Sequence, residues 1–135
     1  RSKISGPLLD RIDIHVEVPA VPVRELGDRR GAETSQEIRK RTVKALELQR
    51  RRFKGTSTRC NGQMTLKQIY KYCRLEPNCR LLLEQAIDRL GLSARAYARI
   101  LKVARTIADL EEQETLSATH LAEAIGYRTL DRKRI

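Results

Sequence analysis

The apolar positions follow a helical period through most of the chain, and the clearest case is residues 93–113. There the apolar residues recur three and four positions apart, which places them on one stripe of a helix. The members of this stripe are Tyr97, Ile100, Leu101, Ala104, Ile107 and Ala108. Ser93 is a suitable N-cap because its hydroxyl can accept a hydrogen bond from the first turn. Arg95, Arg99 and Lys102 recur on another face, so we predict a helix with one buried and one cationic side.

Similar patterns predict four more helices. Capping boxes open the helices at 34–54 and 65–73. A proline in the first turn and a glycine after the last turn bracket the helix at 77–91, and a serine cap opens the helix at 117–127. The residues predicted to face inward are Ile38, Thr42, Ala45, Leu46, Gln49, Phe53, Leu66, Ile69, Tyr70, Cys73, Cys79, Leu82, Leu83, Ala86, Ile87, Leu90, Leu121, Ala124 and Ile125.

Residues 12–18 follow a different period. Isoleucine and valine alternate with polar residues up to Pro19, which predicts a strand in which His15 points outward. Because a lone strand cannot satisfy its backbone, it either docks on the helices or belongs to a sheet upstream of Arg1, and we favour the sheet. The chain opens without methionine, so we expect a fragment of a longer protein. The fold class predicted is mainly α, a small helical bundle preceded by one residual β-strand.

Charge and cysteine content narrow the function. The chain carries 28 Lys and Arg against 17 Asp and Glu, a net charge of +11, which favours an anionic partner. Cys60, Cys73 and Cys79 form no C-x-x-C pair, so we predict no metal site and reduced thiols in the cytoplasm. The sequence has no apolar run of the roughly 18 residues that a membrane span requires, so no membrane partner is expected.

Much of the positive charge falls on the first predicted helix. Blocks of basic residues there suit contacts with DNA phosphates, and the alternatives are a solvated face or a contact with another subunit. The candidate DNA or subunit contacts are Arg39, Lys40, Lys44, Arg50, Arg51, Arg52 and Lys54. No aromatic residues interleave with these charges, so base reading is not expected.

Arg11 is the best candidate for a contribution to catalysis. The sequence contains no G-x-x-x-x-G-K-[ST] loop to hold phosphates, so the chain alone is not expected to hydrolyse a nucleotide. Arg11 ends the short element Gly6-Pro7-Leu8-Leu9-Asp10-Arg11, from which a guanidinium could meet a phosphate in another subunit. The alternative is an ion pair of Arg11 with Asp10 or Asp13.

Three segments carry a resemblance to a known family. Residues 5–14, SGPLLDRIDI, resemble the arginine-finger segment of AAA+ ATPases in the magnesium chelatase and MCM branch. Together with LSARAY at 92–97 and VARTIADL at 103–110, the chain resembles the C-terminal part of magnesium chelatase-like AAA+ ATPases of the bacterial ComM type. The resemblance implies that Arg11 is an arginine finger acting in trans on a neighbour's ATP. It implies that Arg95 is the sensor 2 arginine of its own subunit.

The same resemblance implies an organisation and a function. Residues 1–23 would be the end of the AAA+ α/β core with its last strand, 24–33 a linker, 34–128 the helical lid and 129–135 a basic tail. The intact protein would bind ATP and Mg²⁺, with neither bound to this fragment alone, and would form a homo-oligomeric ring, a hexamer, with the upstream core and neighbouring subunits as partners. DNA branch migration or helicase action in recombination of incoming DNA is favoured over metal insertion into a porphyrin. The alternative is a freestanding basic helical module that binds nucleic acid and is not an enzyme.

Overall fold

The computed structural model describes residue 8, residues 11–20 and residues 33–128. Within these ranges the helical bundle is confirmed. The elements are α1 (Ser35–Arg52), a 3₁₀ turn (Asn61–Gln63), α2 (Leu66–Tyr72), α3 (Pro77–Leu90), α4 (Ala94–Leu110) and α5 (Ala118–Gly126). The predicted linker lies outside the described residues except for Glu33, and the predicted tail lies outside them entirely.

The helices begin and end where local side chains satisfy their backbone groups. The side-chain oxygens of Thr34 and Thr65 each accept a hydrogen bond from the backbone N–H three residues on. The side chains of those third residues, Glu37 and Gln68, accept one from the N–H of the threonine, so both predicted capping boxes are present. Ser93 caps α4 by accepting from the amide of Ala96. Gly91 ends α3 with a φ of 60°, a left-handed conformation that glycine adopts without strain.

Helix α4 lies at the centre of the bundle. It packs against each of the other four helices and against the 3₁₀ turn, while α3 also packs on α5. Ala104 and Ala108 of α4 are fully buried in the bundle, and their small side chains let neighbouring helices approach closely. Leu83 of α3 and Leu121 of α5 complete this core and are fully buried. The strong apolar stripe predicted for α4 is therefore the contact surface of the whole bundle.

Some residues predicted to face inward are exposed. They are Ile38, Thr42, Leu46, Leu66, Tyr70 and Leu82. On α1 only Ala45 and Gln49 are buried, because the described residues cover one narrow strip of that helix. Helix α2 is two turns long, and only one side of it, at Ile69, reaches the core. Helical period alone overestimates the width of a buried stripe when the partner surface is small.

The strand predicted over residues 12–18 is not formed. Residues 12–20 have no ladder partner among the described residues, and the segment follows an irregular path. His15 was predicted to point outward, but it is buried, and its backbone N–H donates to the carbonyl of Tyr127 at 2.7 Å. In this chain the segment docks on the helices. A β-branched alternating pattern needs a neighbouring strand to become a sheet.

None of the helices in the described ranges is both long enough and apolar enough to cross a bilayer.

We expect Leu83→Ala to lower the free energy of unfolding by about 2–5 kcal/mol, because it removes a fully buried side chain and leaves a cavity. Leu81→Ala, on the same helix, removes a side chain that is 54% exposed and should change it by no more than about 0.5 kcal/mol. Urea unfolding of the two variants measures the difference. Equal losses would contradict the packing of α3 described above.

Candidate nucleotide-contacting arginines and basic helix

Arg95 lies in the first turn of α4, where its side chain is exposed. The first N–H groups of a helix have no partner within the helix, and the helix dipole makes this end positive. An anion placed beside the start of α4 would therefore meet backbone N–H groups and a guanidinium together. Because α4 is the central helix, Arg95 is carried by the most firmly packed element of the bundle.

Arg11 is exposed at a turn in which its N–H donates to the carbonyl of Leu8 at 3.1 Å. The alternative partner Asp13 forms an ion pair with Arg99 of α4 instead. Asp10, the other alternative partner, lies outside the described residues. The geometry thus leaves Asp13 engaged elsewhere and keeps Arg11 at the surface.

The segment that follows Arg11 is bound to the bundle at successive residues. The carbonyl of Ile12 accepts a hydrogen bond from a guanidinium nitrogen of Arg128 at 2.8 Å, and Arg128 is itself buried. Asp13 pairs with Arg99, and His15 is held through its backbone as described. Arg99, which binds the segment after Arg11, lies one helical turn after Arg95. Arg11 and Arg95, the two arginines predicted to contact nucleotide, are therefore attached to neighbouring parts of the same bundle.

The basic residues of α1 form a cationic surface. Arg39, Lys40, Arg50 and Arg51 are exposed on α1, and Lys54 is exposed just beyond it. Lys44 is exposed as well and donates to Glu112 at 2.7 Å, a hydrogen bond that raises the pKa of Lys44. These side chains are accessible to a phosphate backbone. We call this set, with Arg52 left out, the α1 basic surface.

Arg52 was predicted to share this surface, but its guanidinium points into the bundle. One nitrogen donates to Asp109 at 2.6 Å and to the side-chain oxygen of Asn61 at 2.9 Å, while the other donates to the second carboxylate oxygen of Asp109. Only 14% of its side chain is exposed. This bidentate ion pair joins the end of α1 to the end of α4. Because the guanidinium of Arg52 is engaged in it, Arg52 is not available to bind a DNA phosphate.

Asp109 is the centre of this polar network and was missed from the sequence. Its carboxylate is fully buried and also accepts hydrogen bonds from Nε of Arg105 at 3.2 Å and from the side-chain Nδ2 of Asn61 at 2.8 Å. The guanidinium of Arg105 also donates hydrogen bonds to the backbone carbonyls of Gln113 and Glu114, beyond the end of α4. Burial lowers the pKa of Arg105, while the carboxylate acts in the opposite direction. The sequence signal for this network was the spacing of Arg105 and Asp109, which are four residues apart beside the apolar stripe of α4.

The other titratable groups of the core have structural contacts. Burial raises the pKa of the Cys73 thiol to about 11, so it stays protonated at neutral pH. His120 accepts from the amide of Ser117 at Nδ1, so Nε2 carries the proton and donates to Glu111 at 2.9 Å. Within the described ranges, His, Cys, Asp and Glu side chains do not gather into a group of three that could hold a metal ion.

Comparison with known proteins found one matching family model and several related proteins. Residues 32–128 match the family model described as magnesium chelatase, subunit ChlI C-terminal. The chain is 42% identical over 134 residues to competence protein ComM of Haemophilus influenzae, covering 97% of this chain and 25% of that protein. It is 42% identical over 132 residues to protein YifB of Salmonella typhimurium, with coverage of 97% and 25%.

A more distant relative spans the same region. Protein Rv2897c of Mycobacterium tuberculosis is 31% identical over 132 residues, covering 98% of this chain and 26% of that protein. The chain therefore spans about a quarter of the length of the curated relatives it matches. Since 97–98% of this chain is covered, the alignments extend beyond the helices to residues 12–20.

We expect Asp109→Asn to lower the free energy of unfolding by about 3–5 kcal/mol, because it leaves the buried guanidinium of Arg105 and the largely buried guanidinium of Arg52 without their carboxylate. Urea unfolding measures this loss. Glu112→Gln breaks an ion pair whose side chains are more than half exposed and should cost less than about 1 kcal/mol. A loss for Asp109→Asn as small as that of the control would show that the buried network does not hold α1 to α4.

Proposed function

The chain belongs to the magnesium chelatase subunit ChlI C-terminal family, and we propose that it is the lid of an AAA+ ATPase. In this proposal the intact protein hydrolyses ATP in a homo-oligomeric ring, a hexamer, and uses the energy to remodel DNA. The observation that carries the proposal is the exposed Arg95 at the start of the central helix of a family domain. We place the ring in the cytoplasm, where the three thiols of this chain would stay reduced.

Arg95 is proposed to contact the γ-phosphate bound in its own subunit. A guanidinium is always charged and can donate two parallel hydrogen bonds to a phosphate. The start of α4 adds favourable electrostatics for an anion. A contact on this helix would make the position of the bundle depend on whether the γ-phosphate is present.

Arg11 is proposed to act on the ATP of a neighbouring subunit. An arginine supplied in trans stabilises the charge that develops on the transferred phosphoryl group. Its exposure supports this role, because the side chain can reach outward while its own N–H is bonded to Leu8 and the next residue, Ile12, is bonded to Arg128. No partner subunit is needed to explain the position of its backbone.

The residues of this chain fit ATP only in part. Two exposed guanidinium groups suit phosphate oxygens, but the sequence has no glycine-rich phosphate loop. The described residues also have no group of carboxylates suited to hold Mg²⁺. The rest of the protein would hold both, and Mg²⁺ there would neutralise phosphate charge. This chain contributes the two arginines and the body that carries them.

DNA is proposed as the substrate because of the α1 basic surface. Five of its six basic residues form no ion pair within the described part of the chain, namely Arg39, Lys40, Arg50, Arg51 and Lys54. One relative is named a competence protein, which supports DNA branch migration or helicase action over metal insertion into a porphyrin. The ion pair of Arg52 with Asp109 would join this surface to α4, and therefore to Arg95.

A second candidate function is a basic module that binds nucleic acid without any part in ATP hydrolysis. The net charge of +11 and the exposed basic residues of α1 favour it. It shares the DNA contacts with the first proposal but assigns no role to Arg11 or Arg95. ATPase assays on the intact protein therefore separate the two.

We expect Arg11→Ala and Arg95→Ala each to reduce the ATPase rate of the intact protein, by roughly 10³-fold or more for Arg11. Mixed rings should regain activity, because some subunits with an intact Arg95 will lie beside a neighbour with an intact Arg11. For random mixing in equal amounts, about a quarter of the sites in a ring are complete, since each interface is directional.

The mixing result separates the possible roles of the two arginines. Two inactive variants without recovery would mean that both arginines serve one subunit's site or the fold alone. Two fully active variants would end the ATPase proposal and leave the basic module. Thermal melting of each variant shows whether lost activity reflects unfolding.

We expect the double substitution Arg50→Gln and Arg51→Gln to weaken DNA binding. The fall of log K with log salt should become shallower by about 2, nearly one unit of slope for each lost phosphate contact. Fluorescence anisotropy with a labelled duplex over a salt series measures it. The charge-matched control is Arg80→Gln with Arg89→Gln, two exposed residues of α3. An equal change in both double variants would mean that net charge, and not α1, determines binding.

A further inference from the structure

We propose that the ion pair between Asp13 and Arg99 is a positioning device, through which the helical bundle of one subunit aims Arg11 at the ATP of its neighbour. This inference rests on the proposed function, since it assumes that Arg11 acts in trans. Asp13 and Arg99 are positioning residues, and neither is proposed to touch the nucleotide.

Three contacts anchor the chain directly after Arg11. Arg128 holds the carbonyl of Ile12, Arg99 holds the carboxylate of Asp13, and the carbonyl of Tyr127 holds the N–H of His15. Two of these partners follow α5 and the third lies on α4, so the anchor spans separate elements of the bundle. A segment with no strand partner among the described residues is fixed by these contacts in place of a sheet.

The anchor lies close enough to control where Arg11 points. Arg11 and Asp13 are two positions apart in the chain, so their Cα atoms are at most about 7 Å apart. Loss of the anchor would let the turn at Arg11 sample many conformations, and catalysis by a positioned group is sensitive to displacements of about 1 Å. The anchor thus supplies the preorganisation that a catalytic arginine needs.

Arg99 also prevents a competing ion pair. Asp13 lies near enough along the chain to pair with Arg11 itself, which would turn the guanidinium away from a neighbouring phosphate. Arg99 engages that carboxylate instead. Removing Arg99 would therefore act in two ways, by loosening the segment and by freeing Asp13 to bind Arg11.

Helix α4 connects the two nucleotide contacts. Arg95 and Arg99 lie one turn apart on it, and the first is proposed to contact ATP in its own subunit while the second holds the segment that reaches the neighbour. A displacement of α4 after hydrolysis would move both together. The pair would thus link the state of one site to the competence of the next site around the ring.

The pair is well suited to a test because it is exposed. The side chains of Arg99 and Asp13 are 30% and 51% exposed, and ion pairs this accessible contribute little to stability. A large loss of activity without a change in melting temperature would therefore report positioning. The pair of Arg41 with Glu33, at 56% and 42% exposure, is a matched control elsewhere on the surface.

The experiment measures ATP hydrolysis by the intact protein carrying Asp13→Arg, Arg99→Asp, or both. We expect each single variant to lower kcat at least tenfold with little change in KM for ATP, since Arg11 acts on the transition state. The double variant restores the opposite charges and should recover to within about threefold of the original rate. Arg41→Asp should stay within about twofold.

Hydrogen exchange at the backbone N–H of His15 gives an independent readout in the same proteins. The single variants should exchange faster there, and the double variant should regain protection, while Arg41→Asp leaves it unchanged. Single variants that retain full activity while Arg11→Ala is inactive would overturn this inference alone. An active Arg11→Ala would instead overturn the proposed function beneath it. A double variant as inactive as its parents would also refute positioning by the pair.

Discussion

The buried carboxylate of Asp109 is the constraint on which the arrangement of the bundle depends. A carboxylate without solvent must be fully paired, and here Arg52, Arg105 and Asn61 supply its donors from three separate elements. The requirement for all of these hydrogen bonds at once defines how α1, the 3₁₀ turn and α4 meet. An apolar contact of similar size would tolerate sliding, because hydrophobic burial is not directional.

Helix α4 links the Asp109 network to the residues proposed to contact nucleotide. Asp109 near its end is tied to α1, Arg99 in its second turn is tied to the segment after Arg11, and Arg95 at its start is exposed. Its middle is the apolar core of the bundle. One rigid helix thus joins the α1 basic surface to both arginines proposed to contact nucleotide, so that a displacement at one end would be felt at the other.

The helices and their ends were predictable because their causes are local. A threonine or serine cap with its reciprocal side chain, or a glycine in the left-handed region, acts within four residues of itself. The exposure of Leu66 and Tyr70 was not predictable, since it depends on how far the neighbouring helices extend. The segment at 12–18 shows the same limit, because its alternation predicts a strand while the described part of the chain contains no strand for it to pair with.

Local patterns in the sequence were enough to predict the five helices, the central apolar stripe, the excess of positive charge and the resemblance that led to Arg11 and Arg95. Which arginines form ion pairs inside the bundle depends instead on tertiary contacts. Arg51 and Arg52 are adjacent in sequence, but successive helical residues point about 100° apart, so one is exposed and the other reaches Asp109. The ion pair between Asp13 and Arg99 likewise depends on the tertiary structure. Such pairings join residues dozens of positions apart, and no local pattern encodes which of many arginines will meet a given carboxylate.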